Sequence, residues 1–86
     1  MKQTSIKTDD DMAILRDYRG LKCPLPVLKA RRALSEQASG VKLEILADDP
    51  AAPLDMAHFC DTEGHQLVLS EEIEDYFRFV LIKGGA

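Results

Sequence analysis

The chain has 86 residues, 45% hydrophobic and 30% charged, with a net charge of −4 and two cysteines. That length suits one domain around one undivided core, and the composition excludes a disordered chain or a disulfide scaffold. No apolar run is long enough to span a bilayer, and an acidic whole counts against general nucleic-acid binding.

Residues 1–11 read as a flexible tail ahead of a single domain over 12–86. The tail is polar, contains Asp9-Asp10-Asp11, and lacks the apolar middle of a secretory signal. A reducing, cytoplasmic setting follows as the default, and there a lone thiol persists. Met12 to Asp17 alternates weakly and predicts a short strand, ending at Tyr18-Arg19-Gly20, where glycine suits a turn.

The first helix is predicted from about Pro24 to Ala38. Val27, Ala30, Leu34 and Ala38 recur at helical spacing and form an inward face with Leu28 at its edge, while Lys29, Arg32 and Glu36 fall outward. Gly40 is a stop signal. Because Leu25 precedes Pro26 and so disfavours helical backbone, the first regular turn can begin as late as Pro26, leaving Cys23 just outside it.

Val41 to Ala47 alternates cleanly and predicts a strand with Val41, Leu43, Ile45 and Ala47 on one face. Asp48-Asp49-Pro50 then opens a second helix, with Asp49 as cap and Pro50 in the first position. Met56, Phe59, Cys60 and Glu63 make one stripe of that helix, and Gly64 ends it. Gln66–Ser70 and Tyr76–Lys83 predict two more strands, joined by an acidic turn over 71–75. Phe77, Phe79 and Leu81 share one face and Val80 and Ile82 the other, as in a central strand. The fold class is α+β: a β-α-β-α-β-β two-layer sandwich, with both helices on one face of a mixed four-stranded sheet.

The chemistry concentrates at Cys23. Pro24 and Pro26 start a helix at this cysteine and stiffen the chain that presents it. The positive helix N-terminus and the neighbouring Lys22 and Arg19 are expected to favour its thiolate, the reactive form. Residues 16–32 carry six basic groups against Asp17, a local charge of +5 that leaves −9 for the remainder. Arg31 and Arg32 read equally well as solvated charges on an outer face. The bland alternative for Cys23 is an inert buried thiol. With no histidine placed beside it by the sequence, Cys23 reads as a carrier thiol that exchanges sulfur rather than half of a catalytic dyad.

Cys60 lies on an apolar stripe and reads as core. His58, Cys60 and His65 match no zinc spacing, so a metal is not expected. Asp48 and Asp49 read as a helix cap, Arg78 as a solvated charge, and Lys83-Gly84-Gly85-Ala86 as a flexible end. Two other readings stay open: a regulatory interaction module with a structural cysteine, and a small nucleic-acid-binding domain. The acidity of the chain and its lack of an aromatic stacking run weigh against the second.

The segment Asp17-Tyr18-Arg19-Gly20-Leu21-Lys22-Cys23-Pro24-Leu25-Pro26 resembles the Cys-Pro-x-Pro signature of the TusA (SirA-like) sulfur carrier family. Ala47-Asp48-Asp49-Pro50-Ala51, Asp55-Met56, Phe59-Cys60, His65-Gln66-Leu67-Val68, Phe77-Arg78-Phe79 and Lys83-Gly84-Gly85 extend the resemblance, in order, across about residues 13–85. Tyr18 stands where the family often has leucine or alanine. From the helix-start reading, Arg19 and Lys22 are expected to stabilise sulfur on Cys23 and help dock an acidic partner, and Pro24 and Pro26 to hold the loop. The resemblance implies the same sandwich, a persulfide on Cys23 and no cofactor on the carrier itself. It implies a cysteine desulfurase as sulfur donor and a relay protein as acceptor, with no direct contact to tRNA and no membrane. The family's best-known destination is 2-thiolation of the tRNA wobble uridine; sulfur oxidation and molybdenum-cofactor pathways are others. Such a protein is a sulfurtransferase-type relay rather than a self-contained multi-turnover enzyme, and one that visits partners in turn is expected to be monomeric.

Overall fold

The computed structural model describes residues 13–85, so the tail predicted over 1–11, Met12 and Ala86 lie outside the description. The element order is β1 (Ile14–Asp17), α1 (Leu25–Ser35), β2 (Lys42–Ala47), α2 (Ala52–Glu63), β3 (Gln66–Ile73) and β4 (Tyr76–Ile82). The strands form one sheet in the order β1-β2-β4-β3. β1 runs parallel to β2, while β4 pairs antiparallel with both β2 and β3. The predicted α+β sandwich is therefore present, with β4 an inner strand.

Period-2 alternation explains the sheet. Leu43, Ile45 and Ala47 of β2 are buried, as are Phe79 and Leu81 of β4, while Lys42, Glu44 and Arg78 take the opposite face. Both helices cover the inner face. Ala30, Ala33 and Leu34 of α1 join Ala52, Met56, Phe59 and Cys60 of α2 and the inward strand residues in one core. Tyr18 belongs to it too, with its hydroxyl donating to the carbonyl of Lys29 at 3.4 Å.

Several boundaries differ from the sequence reading for local reasons. α1 stops at Ser35 rather than Ala38: Glu36 and Gln37 donate to the carbonyls of Ala33 and Leu34, tightening the last turn. Ala38 is consequently exposed, and Ala33 takes the inward position assigned to it. α2 begins at Ala52, not Pro50, because Asp49 forms a turn ahead of the helix, its Oδ1 accepting the Ala51 N–H at 2.8 Å. Gly64 closes α2 in the left-handed conformation, at φ 80°. Glu63 is exposed rather than part of the apolar stripe, and pairs with Arg31 at 2.7 Å.

β3 runs on to Ile73, so the predicted five-residue acidic turn shortens to the link Glu74-Asp75. Arg78 explains how an acidic segment can be strand. It lies opposite Glu71 and bridges Glu44 at 2.6 Å and Glu71 at 2.8 Å, so it is no lone solvated charge. The C-terminal glycines also differ from the flexible end expected. The Gly84 N–H donates to His65 Nδ1 at 3.0 Å, and its carbonyl accepts from Ser39 Oγ at 3.2 Å. A Cβ at Gly84 would collide with the Gly64 carbonyl, so this strap passes where only glycine fits.

Candidate functional site

Cys23 is exposed and Cys60 is buried, as the sequence indicates. Burial in apolar surroundings pushes the Cys60 thiol up to about 11, which leaves it inert at neutral pH. Cys23 stands on the loop between β1 and α1, joined to Pro24 by a cis peptide bond. Two neighbouring aspartates hold this loop. Asp48 Oδ1 accepts the Gly20 N–H and Asp49 Oδ2 accepts the Cys23 N–H, each at 3.0 Å. The hydrogen bonds from Ala51 and Cys23 hold the Asp49 carboxyl below its ordinary range, with Lys22 adding to the effect. Asp48 and Asp49 thus clamp the cysteine loop to the start of α2, a wider role than the helix cap read from sequence.

The thiol opens onto a cleft of about 440 Å³ between the helices. Pro24, Val27, Leu54 and Phe59 give it an apolar lining, and Arg31, Asp55, His58 and Glu63 bring charge or titratable groups. His58 is the histidine that sequence alone does not place near the thiol; its ring contacts the Thr62 hydroxyl at 3.5 Å.

The expected electropositive environment of Cys23 is not what the loop supplies. Its thiol is pushed upward, first by the Asp55 carboxylate acting as an acceptor across the cleft and further by desolvation and the charges of Asp55 and Asp49. The reason lies in the prolines that start the helix. Pro24 and Pro26 carry no N–H, and the Leu25 N–H is taken by the Lys22 carbonyl at 2.8 Å. The donors that attract an anion to a helix start are thereby depleted.

Nor do the flanking basic groups turn to the sulfur. Arg19 forms two hydrogen bonds to the Asp17 carboxylate at 2.9 and 2.8 Å, and its guanidinium lies 4.9 Å from the Tyr76 ring centroid. Arg19 holds the Asp17 carboxyl down at about 2. The charge of Lys22 falls on Asp49. Pro24 does line the cleft beside Cys23, while Pro26 is buried behind it. Sequence alone assigns Asp55 and His58 no place beside the thiol, because both sit on α2, far along the chain, and no spacing rule links them to Cys23.

Residues 16–83 match the family described as Sulfurtransferase TusA. Two provisionally named sulfur carrier proteins of Neisseria meningitidis, from serogroups A and B, are each 43% identical over 65 residues, covering 76% of this chain and 88% of theirs. The crystal structure of a SirA-like protein from Desulfitobacterium hafniense superposes with a TM-score of 0.73 at 25% identity, covering 83% of this chain and 97% of that one. The exposed cysteine before Pro-x-Pro, the two-helix sandwich and these matches lead to one conclusion: the chain belongs to the TusA family of sulfurtransferases and sulfur carriers.

Proposed function

We propose that Cys23 accepts sulfur from the persulfide of a cysteine desulfurase and passes it to a cysteine of an acceptor protein. Of the family's destinations, 2-thiolation of the tRNA wobble uridine is the one proposed here, in the cytoplasm, with the carrier acting as a monomer and without touching tRNA. Among the described residues no helix is long and apolar enough to cross a membrane. Family membership supports the relay. The observation that carries the assignment to Cys23 is its exposure at the mouth of a cleft while Cys60 lies buried.

In loading, the Cys23 thiolate attacks the outer sulfur of the donor persulfide. One S–S bond forms, the donor's own S–S bond breaks, and the electron pair leaves on the donor thiolate. Unloading repeats the exchange with an acceptor thiolate as attacker and Cys23 as leaving group. No net oxidation occurs in either step. Pro24 and Pro26 hold the loop that presents the sulfur, lowering the entropy lost on docking. Arg19 and Lys22 act on the loop and on a partner surface rather than on the thiol, since Asp17 and Asp49 take their charges.

Incubating the protein with a cysteine desulfurase and cysteine tests this reading. Intact mass is expected to rise by one sulfur atom and to return to its starting value with dithiothreitol. An unchanged mass overturns the proposal.

A further inference from the structure

A second concave surface lies outside the sulfur cleft and takes no part in the exchange written above. Arg16 of β1, Lys29, Arg32, Ala33 and Glu36 beside α1, and Tyr18 between the two elements enclose a groove of about 270 Å³. Buried Tyr18 ties its two sides together through the hydroxyl's bond to the Lys29 carbonyl at 3.4 Å. Arg16 stands opposite Ile45 in the parallel β1–β2 register, so it takes the helix-facing side of the sheet, where alternation would place an apolar residue. It is exposed there, and its guanidinium donates to the Leu15 carbonyl at 3.0 Å. Lys29, Arg32 and Glu36 follow one another along one face of α1 at helical spacing. Arg32 meets Glu36 only at 3.9 Å, with both side chains well exposed, and among the described residues no carboxylate pairs with Arg16 or Lys29. Three cations against one loosely held anion converge on this groove, in a chain whose net charge is −4.

We propose that the groove docks an acidic segment of the protein that exchanges sulfur with Cys23, seating it so that its cysteine meets the thiol. The inference rests on the carrier reading. Arg19 and Lys22 are nearer to Cys23 in sequence, but their charge falls on Asp17 and Asp49, whereas Arg16 and Lys29 keep theirs for a partner. The helical rise puts Lys29 and Arg32 within about 10 Å of the helix start beside Cys23, and a partner footprint of about 800 Å² spans both. A peptide suits the groove better than a nucleic acid: Tyr18 is buried and offers no face for a base to stack on, and Glu36 sits on the rim. Asp49 and Asp55 lie at the thiol itself and repel an acidic approach, so any advantage for an acidic partner must come from the groove.

Templated thiol exchange tests the docking with synthetic peptides. In a Cys60→Ala background, the Cys23 thiolate attacks the cysteine sulfur of a peptide activated as its thiopyridyl disulfide. An S–S bond to the peptide forms, and the electron pair leaves on the thiopyridine, which is read by absorbance. One peptide joins its cysteine through a glycine spacer to a run of glutamates, the other to a run of glutamines. At low ionic strength the glutamate peptide is expected to react roughly tenfold faster, and high salt to erase the difference. Arg16→Gln, Lys29→Gln and Arg32→Gln are each expected to lose much of that advantage, and Lys42→Gln, on the opposite sheet face, to keep it. The glutamine peptide should react alike with all of them. Equal rates for the two peptides, or an advantage that survives the three groove substitutions combined, overturn the proposal. Saturable binding of tRNA that the same substitutions remove gives the groove to a nucleic acid and overturns it too. A protein that shows the advantage yet refuses sulfur from a desulfurase keeps the docking site and overturns the relay reading alone.

Discussion

Cys23→Ser is expected to take up no sulfur from a desulfurase, while Cys60→Ala is expected to load like the parent. A serine oxygen in place of the sulfur cannot form the S–S bond on which the exchange depends, and a hydroxyl is not ionised at neutral pH. The loss should therefore be complete rather than partial. The side chain at position 23 is exposed and supports no part of the core, so the variant should keep the parent's unfolding midpoint. Cys60 is the natural control because it is 3% exposed, inside the core with Met56 and Phe59. Alanine is the replacement of choice there, since it adds no polar group to an apolar core. Intact-mass measurement after desulfurase treatment reads both variants.

Phe79→Ala is expected to cost about 3–5 kcal/mol of folding stability. Phe79 is fully buried on β4, the inner strand that pairs with both β2 and β3, and it lies opposite Ile45 in the β2–β4 register. Its ring is 6.2 Å from that of Phe77 and belongs to the cluster that both helices cover. Truncation removes the transfer free energy of the ring and leaves a cavity that a two-layer sandwich cannot readily collapse. A domain of this size has roughly 5–15 kcal/mol in total, so the loss is a large share of it. Urea unfolding should show a markedly lower midpoint; an unchanged midpoint would mean that the core is centred elsewhere.

The parts of the fold legible in the sequence are those where one period is written cleanly. Leu43, Ile45 and Ala47 declare a strand by alternation, and Met56, Phe59, Cys60 and Gly64 declare the stripe and end of α2. The misplaced pieces are those whose stability comes from a distant partner. Glu71 and Glu72 resemble a turn until Arg78 stands opposite on β4, and Gly84 resembles a loose end until His65 accepts its N–H. Local pattern carries neither contact.

The site divides along the same line. Cys23, Pro24 and Pro26 form one continuous stretch, and the exposure of the thiol follows from it. The electrostatics could not be read from that stretch, because neighbours in sequence are not the neighbours of the sulfur in space. Arg19 turns to Asp17 and the charge of Lys22 falls on Asp49, while Asp49 holds the Cys23 N–H and Asp55 shares its cleft, brought by the turn after β2 and the first turn of α2. A count of charge along residues 16–32 therefore points to the wrong sign at the thiol.

Peptide mapping after loading with cysteine labelled in its sulfur asks where the transferred atom resides. The label should sit on the peptide bearing Cys23, leave it on treatment with dithiothreitol, and be absent from the peptide bearing Cys60. Label found on the Cys60 peptide, or on neither, would contradict a carrier built on Cys23.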